Sequence, residues 1–323
     1  MQLLIASPDA AIQAVITADV APFDECAELY GPSELCHSYF PGTVVQILHG
    51  IADYSERYDD FANYLTDMGF LVVADDHMGH GRSVRNGDVS CYFTGGWFNA
   101  VEDSYQLLKM MRQEFPQLPY VLFGHSMGSF MTQTILQMHP DSGIDACILC
   151  GSGWQPDAAL SAGIRLCRTA CRLYGETKPS PRLIKLVFGA YNLKIEHPRT
   201  PYDWVCRDKR VVDALLNDPL CSHSISTGLM RDMLEGISFI QTEDNLRKMR
   251  KTLPVLLVSG GDDPVGTFGE GVRKLAEVYD EIGMEAVMTR IYPLCRHEIL
   301  NEINKAEVYD DISSWMLRHI HLK

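Results

Sequence analysis

The stretch Val121-Leu122-Phe123-Gly124-His125-Ser126-Met127-Gly128-Ser129-Phe130 constrains the fold more than any other part of the chain. A short apolar run of strand character ends on Gly-x-Ser-x-Gly and passes at once into helix-forming residues. A serine at such a turn is held on a tight bend with its hydroxyl projecting above the sheet. Small residues two before and two after keep that bend free of clashes. The following helix aims its N-terminal amides at the same place, where negative charge is stabilised. The pentapeptide alone is common; the strand before it and the helix after it give it weight.

The chain around this motif alternates. Val44–Leu48 is a β-rich run ending at His49-Gly50. Tyr58, Phe61, Ala62, Leu65 and Met68 then recur at helical spacing, with Gly69 placed to end the helix. Phe70–Ala74 is continuously apolar, as a strand covered on both faces should be. After the loop Asp75–Ser83, the spacing from Trp97 to Phe115 is helical and Pro116 and Pro119 terminate it. The motif's own strand and helix follow, then a strand over Ile144–Cys150. Strand–helix alternation of this kind predicts an α/β fold, a mainly parallel, doubly wound sheet with helices on both faces.

Residues from about 152 to 240 break the rhythm, with helical pieces such as Leu183–Phe188 and no clean strand. An insertion of this size after a sheet strand predicts a helical cap, or lid, over 152–240, and a core made of 1–151 and 241–323. The sheet pattern resumes at Pro254–Val258 and continues through a helix around Val272–Tyr279 to Ala286–Ile291. A last helix spans about 305–320. Residues 1–42 are mostly loop-like around Pro22, Gly31, Pro32 and Pro41, with an early strand near Ala11–Ile16.

At 323 residues the chain can bury one large core with an inserted subdomain. A net charge of -14 argues against non-specific nucleic-acid binding and against docking on anionic lipid by charge alone. No apolar run reaches the roughly 18 residues of a membrane span. Met1–Ser7 lacks the basic and apolar regions of a signal peptide, so a cytoplasmic protein is expected. The ten cysteines are scattered through apolar and helical contexts. Cys147 and Cys150 form C-x-x-C inside a buried strand, and Cys167 and Cys171 sit four apart on a helix. Neither pair has a second pair or a histidine at zinc spacing, so free thiols and no metal site are expected. No cofactor motif is present and the oligomeric state is open.

A serine hydroxyl needs a neutral imidazole to take its proton and a carboxylate to orient that imidazole. In an open parallel sheet these groups belong at the C-terminal ends of strands. Ser259-Gly260-Gly261-Asp262-Asp263-Pro264 follows one strand and Cys295-Arg296-His297-Glu298 follows the next. His297 is the candidate base. Either Asp262 or Asp263 can be the acid; Asp263 is preferred because it sits at the tip of the turn before Pro264. His49, His77, His80 and His125 read as loop-packing residues. The oxyanion needs two donors: Met127 N–H at the helix start and Ile51 N–H in the loop after Leu48.

His49-Gly50 with Arg57-Tyr58, Asp76-His77-Met78-Gly79-His80-Gly81-Arg82-Ser83, Gly124-His125-Ser126-Met127-Gly128 and Arg296-His297-Glu298 together resemble the monoacylglycerol lipase/lysophospholipase branch of the α/β-hydrolases. The resemblance covers about 43–151 and 254 to the end. It implies Ser126 as nucleophile, Asp263 as acid, His297 as base, and Ile51 and Met127 as oxyanion donors. Asp53 and Arg57 fall where the family has groups near the polar head of the substrate, and a local salt bridge is the competing reading. Ser129 departs from the family, which often has a second glycine there. The resemblance implies a small-molecule ester substrate, a monoacylglycerol, lysophospholipid or similar single-acyl lipid, met through transient contact of the cap with a membrane surface. Alternatives are an esterase or thioesterase on small soluble esters, or a non-catalytic ligand-binding protein.

Overall fold

The computed structural model describes residues 14–17, 42–84, 90–221 and 224–320. The loop expected over Pro22–Pro41 and the first part of the early strand, 11–13, lie outside these. Among the described residues the sheet has seven strands: β1 Ala14–Thr17, β2 Thr43–Leu48, β3 Phe70–Asp75, β4 Tyr120–His125, β5 Ala146–Cys150, β6 Val255–Gly260 and β7 Val287–Tyr292. Their spatial order is β1-β3-β2-β4-β5-β6-β7. β1 runs antiparallel to β3 and the other pairings are parallel.

The continuous apolar runs are explained by burial on both faces. Val44, Leu71, Val73, Leu122, Cys147 and Leu257 point into one core. Their chain neighbours Val45, Val72, Val121, Ile148, Leu256 and Val258 point into the other, the period-2 alternation of a strand. Helices α1 (Asp59–Asp67) and α10 (Lys305–His319) cover the second face through Phe61, Leu65, Ile312 and Trp315. Helices α2 (Trp97–Glu114), α3 (Met127–Met138) and α9 (Glu270–Glu281) cover the first, through residues such as Leu108, Met131 and Leu275. β7 differs: it lies at the end of the sheet order and its burial alternates, so it pairs on one side only. The strand expected over Ile144–Cys150 starts at Ala146, with Asp145 N–H already bonded to the carbonyl of Tyr120 on β4.

Between β5 and β6 come α4 (Asp157–Tyr174), α5 (Pro181–Phe188), α6 (Lys209–Asn217), α7 (Thr227–Ile240) and α8 (Glu243–Lys248). Local chemistry sets several of their starts. Ser180 caps α5 ahead of Pro181, Asp208 accepts from Arg210 N–H at α6, and Ser226 accepts from Leu229 N–H at α7. The inserted helices do not share one core. Leu160, Cys167, Leu229 and Ile237 join the main cluster. Trp204, Val205, Cys206, Val212 and Leu215 form a small cluster of their own. The parallel strands deliver the loops after β2, β4, β6 and β7 to one edge of the sheet, facing these helices.

Candidate active site

Ser126 follows β4 directly and precedes α3, with φ 54° and ψ -120°. A non-glycine residue at positive φ is strained and persists only where its surroundings over-determine it. The surroundings here are tight. A Cβ on Gly124 would collide with Gly128 O and Thr132 Oγ1, and one on Gly128 would collide with Leu48 O and reach 2.6 Å from His49 O. Ser126 N–H is held by Cys150 O at 2.9 Å on the neighbouring strand. Ser129, the departure from the family pattern, donates its hydroxyl to Ser126 O at 2.6 Å and so ties the bend from below.

Close approach of Gly128 to Leu48 and His49 brings the start of α3 against the loop after β2. Met127 N–H belongs to the first turn of α3, where backbone donors have no partner within the helix. Ile51 lies in the facing loop, and both Ile51 and Ser126 line one cavity. That loop is shaped by histidine. His49 Nε2 accepts His77 N–H at 2.9 Å while its Nδ1 contacts Gly50 O at 2.7 Å. The proton therefore sits on Nδ1 and the ring is neutral. Burial, then the neighbouring His77 and His80, hold His49 well below its ordinary pKa. His49, His77 and His80 thus pack the loop, as does Asp76, whose carboxylate accepts from Ser55 N–H, Ser55 Oγ and Arg82 N–H at 2.7–2.8 Å.

Asp263 lies three residues beyond β6 and His297 five beyond β7. His297 Nδ1 sits 3.0 Å from Asp263 Oδ1, and both side chains are buried. Val265 N–H and Ser259 Oγ also donate to the Asp263 carboxylate, at 2.8 and 3.2 Å. Asp262 is exposed, which removes the ambiguity between the two aspartates as the partner of His297. Burial pushes the His297 imidazole down, but the Asp263 carboxylate outweighs it and the net shift is upward. For Asp263 burial pushes upward, and the facing imidazole and the Val265 amide bring it below the usual carboxylate value. His297 also lies beside Gly151, where a Cβ would come within 3.0 Å of its Cε1.

Asp53 and Arg57 are tied into the protein rather than presented free. Arg57 Nη1 bonds Asp53 Oδ1 at 2.9 Å, and its two terminal nitrogens fork onto Glu298 at 2.8 and 2.7 Å. Asp53 further accepts from Tyr58 Oη at 2.9 Å, and Tyr58 Oη contacts His125 Nδ1 at 2.8 Å. Tyr58 donates to the carboxylate, so it accepts the proton on His125 Nδ1. Burial, then the neighbouring His297, lower His125 to about 4. The sequence motif contained Glu298 but no partner for it, since Arg57 lies 241 positions away.

Above Ser126 opens a cavity of about 440 Å³ whose walls are largely apolar, including Phe130, Leu160, Leu183, Trp204, Met233 and Ile237. Most of these come from the inserted helices. The size is within the range of small-molecule sites.

Comparison with known proteins finds lipases and esterases among the similar chains. A Mycolicibacterium smegmatis monoacylglycerol lipase is 30% identical over 289 residues, covering 87% of this chain and 90% of that protein. A mouse monoglyceride lipase is 25% identical over 280 residues, covering 82% of each. Among solved structures, a thermostable carboxyl esterase from Bacillus coagulans in complex with glycerol superposes with a TM-score of 0.85 at 27% identity, over 99% of both chains. The family described as Serine aminopeptidase, S33 matches residues 41–304. By that match and by its sheet, the chain belongs to the Serine aminopeptidase, S33 family of α/β-hydrolases.

Proposed function

We propose that the protein is a serine carboxylic-ester hydrolase acting on single-acyl lipid esters such as monoacylglycerols or lysophospholipids. The observation that carries this reading is the strained Ser126 lining an apolar cavity, with the buried His297–Asp263 pair on the loops after the neighbouring strands β7 and β6. Ser126 Oγ attacks the ester carbonyl carbon while His297 Nε2 takes its proton. Asp263, accepting from Nδ1–H, fixes the tautomer and stabilises the imidazolium. The tetrahedral oxyanion accepts from Ile51 and Met127 N–H. Collapse breaks the ester C–O bond, and His297 hands its proton to the departing alcohol oxygen. Water, deprotonated by His297, then attacks the acyl-enzyme, releasing the fatty acid and restoring Ser126.

The similarity to named monoacylglycerol lipases supports the ester and the glycerol head. The apolar walls support an acyl chain rather than a peptide. Residues 152–240 serve as the cap over that chain, and exposed Leu173, Leu186 and Leu193 on it support transient contact with a lipid surface. Among the described residues Cys147, Cys150, Cys167, Cys171, Cys206, Cys221 and Cys295 are buried and unbridged, which favours a reducing, cytoplasmic setting.

Two measurements test the reading. A fluorophosphonate probe should label folded wild-type protein and not Ser126→Ala; an unreactive Ser126 sinks the enzyme. Hydrolysis of p-nitrophenyl esters should increase from short to long acyl chains and extend to monoacylglycerol. Turnover confined to C2–C4 esters would overturn the lipid assignment in favour of a small-ester esterase.

A further inference from the structure

We propose that Glu298 is a positioning residue: its forked bond to Arg57 locks the loop carrying His297 to the loop carrying Ile51 and Asp53. The inference rests on the reading of Ser126 and His297 above. Arg57 lies in the turn just after the Ile51 loop, and Glu298 is the residue after His297. The two side chains are 13% and 8% exposed and make two parallel bonds of 2.8 and 2.7 Å. A bidentate guanidinium–carboxylate pair fixes orientation as well as distance. Asn301 Nδ2 donates to the same carboxylate at 2.9 Å, and Glu298 N–H is held by Val205 O at 2.8 Å. Glu298 is therefore constrained at both its backbone and its carboxylate.

The arrangement argues against a substrate-binding role for Arg57. Its guanidinium is shared between Asp53 and Glu298, and it does not line the acyl cavity with Ser126. Arg57, Asp53 and Glu298 instead line a small void with Tyr58 and His125 that shares no lining residue with the acyl cavity. A second carboxylate anchors the His297 loop independently. Glu302 accepts from Arg207 Nε at 2.7 Å and from Arg296 N–H at 2.9 Å. The loop is thus tied to the inserted segment through Glu302 and the Glu298 N–H, and to the Arg57 turn through the Glu298 carboxylate. Removal of one grip should move His297 without unfolding the loop.

The cluster also carries charge. Asp53 and Glu298 outnumber Arg57, leaving one net negative charge near His297, which faces Asp263 and neutral His125 as well. Glu298 and Asp53 both add to the upward shift of His297. Neutralising Glu298 should lower the kinetic pKa of the base, and a purely structural change would leave it in place.

The test uses Glu298→Gln and Arg57→Lys in the full chain, with p-nitrophenyl butyrate and a monoacylglycerol as substrates. Positioning predicts that kcat falls about 10- to 100-fold for Glu298→Gln, by the same factor on both substrates, with KM nearly unchanged. The acid limb of its kcat/KM profile should move to lower pH. Arg57→Lys keeps the charge and loses the fork, so it should lose kcat without that shift; it also serves if Glu298→Gln does not fold. Wild-type kcat on both substrates in either folded variant overturns the proposal. So does a loss confined to monoacylglycerol, which would make the cluster a head-group site. Wild-type protein that fails to label at Ser126 would instead refute the function proposed above.

Discussion

His297 Nδ1 and Asp263 Oδ1 lie 3.0 Å apart in a site where neither residue exceeds 4% exposure, while Asp262, one residue away, faces solvent. Under the proposed mechanism the first aspartate orients the base and the second does nothing. Asp263→Asn should lower kcat by about 10⁴-fold through the wrong imidazole tautomer, and Asp262→Asn should stay near wild type. Steady-state hydrolysis of a long-chain p-nitrophenyl ester reads both. A damaging Asp262→Asn would mean that the acid is misassigned.

The buried histidines predict how stability depends on pH. His125 has an ordinary value of 6.5 lowered to about 4, by burial first and then by neighbouring His297. The unfolded chain takes up that proton as pH falls below 6.5 and the folded chain does not until about 4. Stability is therefore full above 6.5 and is lost going down toward 4. For His125 alone the loss by pH 5 is about 2 kcal/mol. His49 acts in the same direction, whereas raised His297 adds stability as pH falls. Urea midpoints at pH 7.5 and pH 5 should differ more for wild type than for His125→Asn. Equal slopes would show that His125 is not the group responsible.

The parallel strands and the site loops were legible because their signals are local. β3, β4 and β6 each carry an uninterrupted apolar run and β2 one broken only by Gln46, since both faces are covered. Ser126 and the Asp262-Asp263 pair stand just beyond such a run, and His297 just beyond the alternating β7, where a parallel sheet gathers its loops. The Arg57–Glu298 fork was not legible, because nothing local to either residue names a partner 241 positions away. Which core each helix between β5 and β6 joins was not legible either. α7 packs Leu229, Met233 and Ile237 into the main core, while the separate small cluster gathers around Trp204 and Val212. Amphipathic periodicity marks a helix's buried face but not which core receives it.

Gly128 offers a test of the contact between α3 and the loop after β2. A methyl group there meets the backbone carbonyls of Leu48 and His49, and neither can swing aside as a side-chain end could. Gly128→Ala should cost about 1–3 kcal/mol by overpacking. It should also slow fluorophosphonate labelling of Ser126, because the Ile51 loop must retreat from Met127. Thermal unfolding and the second-order labelling rate measure the two effects. A destabilised variant that labels at the wild-type rate would separate the loop from the oxyanion site.

Leu173 and Leu193 test the membrane contact apart from the chemistry. They are 69% and 81% exposed and neither lines the cavity above Ser126, so under the proposed function neither would touch an acyl chain held there. Exposed leucines such as these gain free energy only when another apolar surface, here the lipid, buries them. Replacing both by glutamate also adds two charges to a chain of net charge -14, which opposes docking on anionic vesicles. The Leu173→Glu/Leu193→Glu double variant should hydrolyse p-nitrophenyl butyrate in solution at the wild-type rate. Its rate on monoacylglycerol in vesicles should fall on the order of tenfold, with a matching loss of vesicle co-sedimentation. Equal losses on the soluble and the vesicle-borne substrate would place these leucines in the fold of the cap instead. No loss on either would leave the substrate reaching Ser126 without help from this surface.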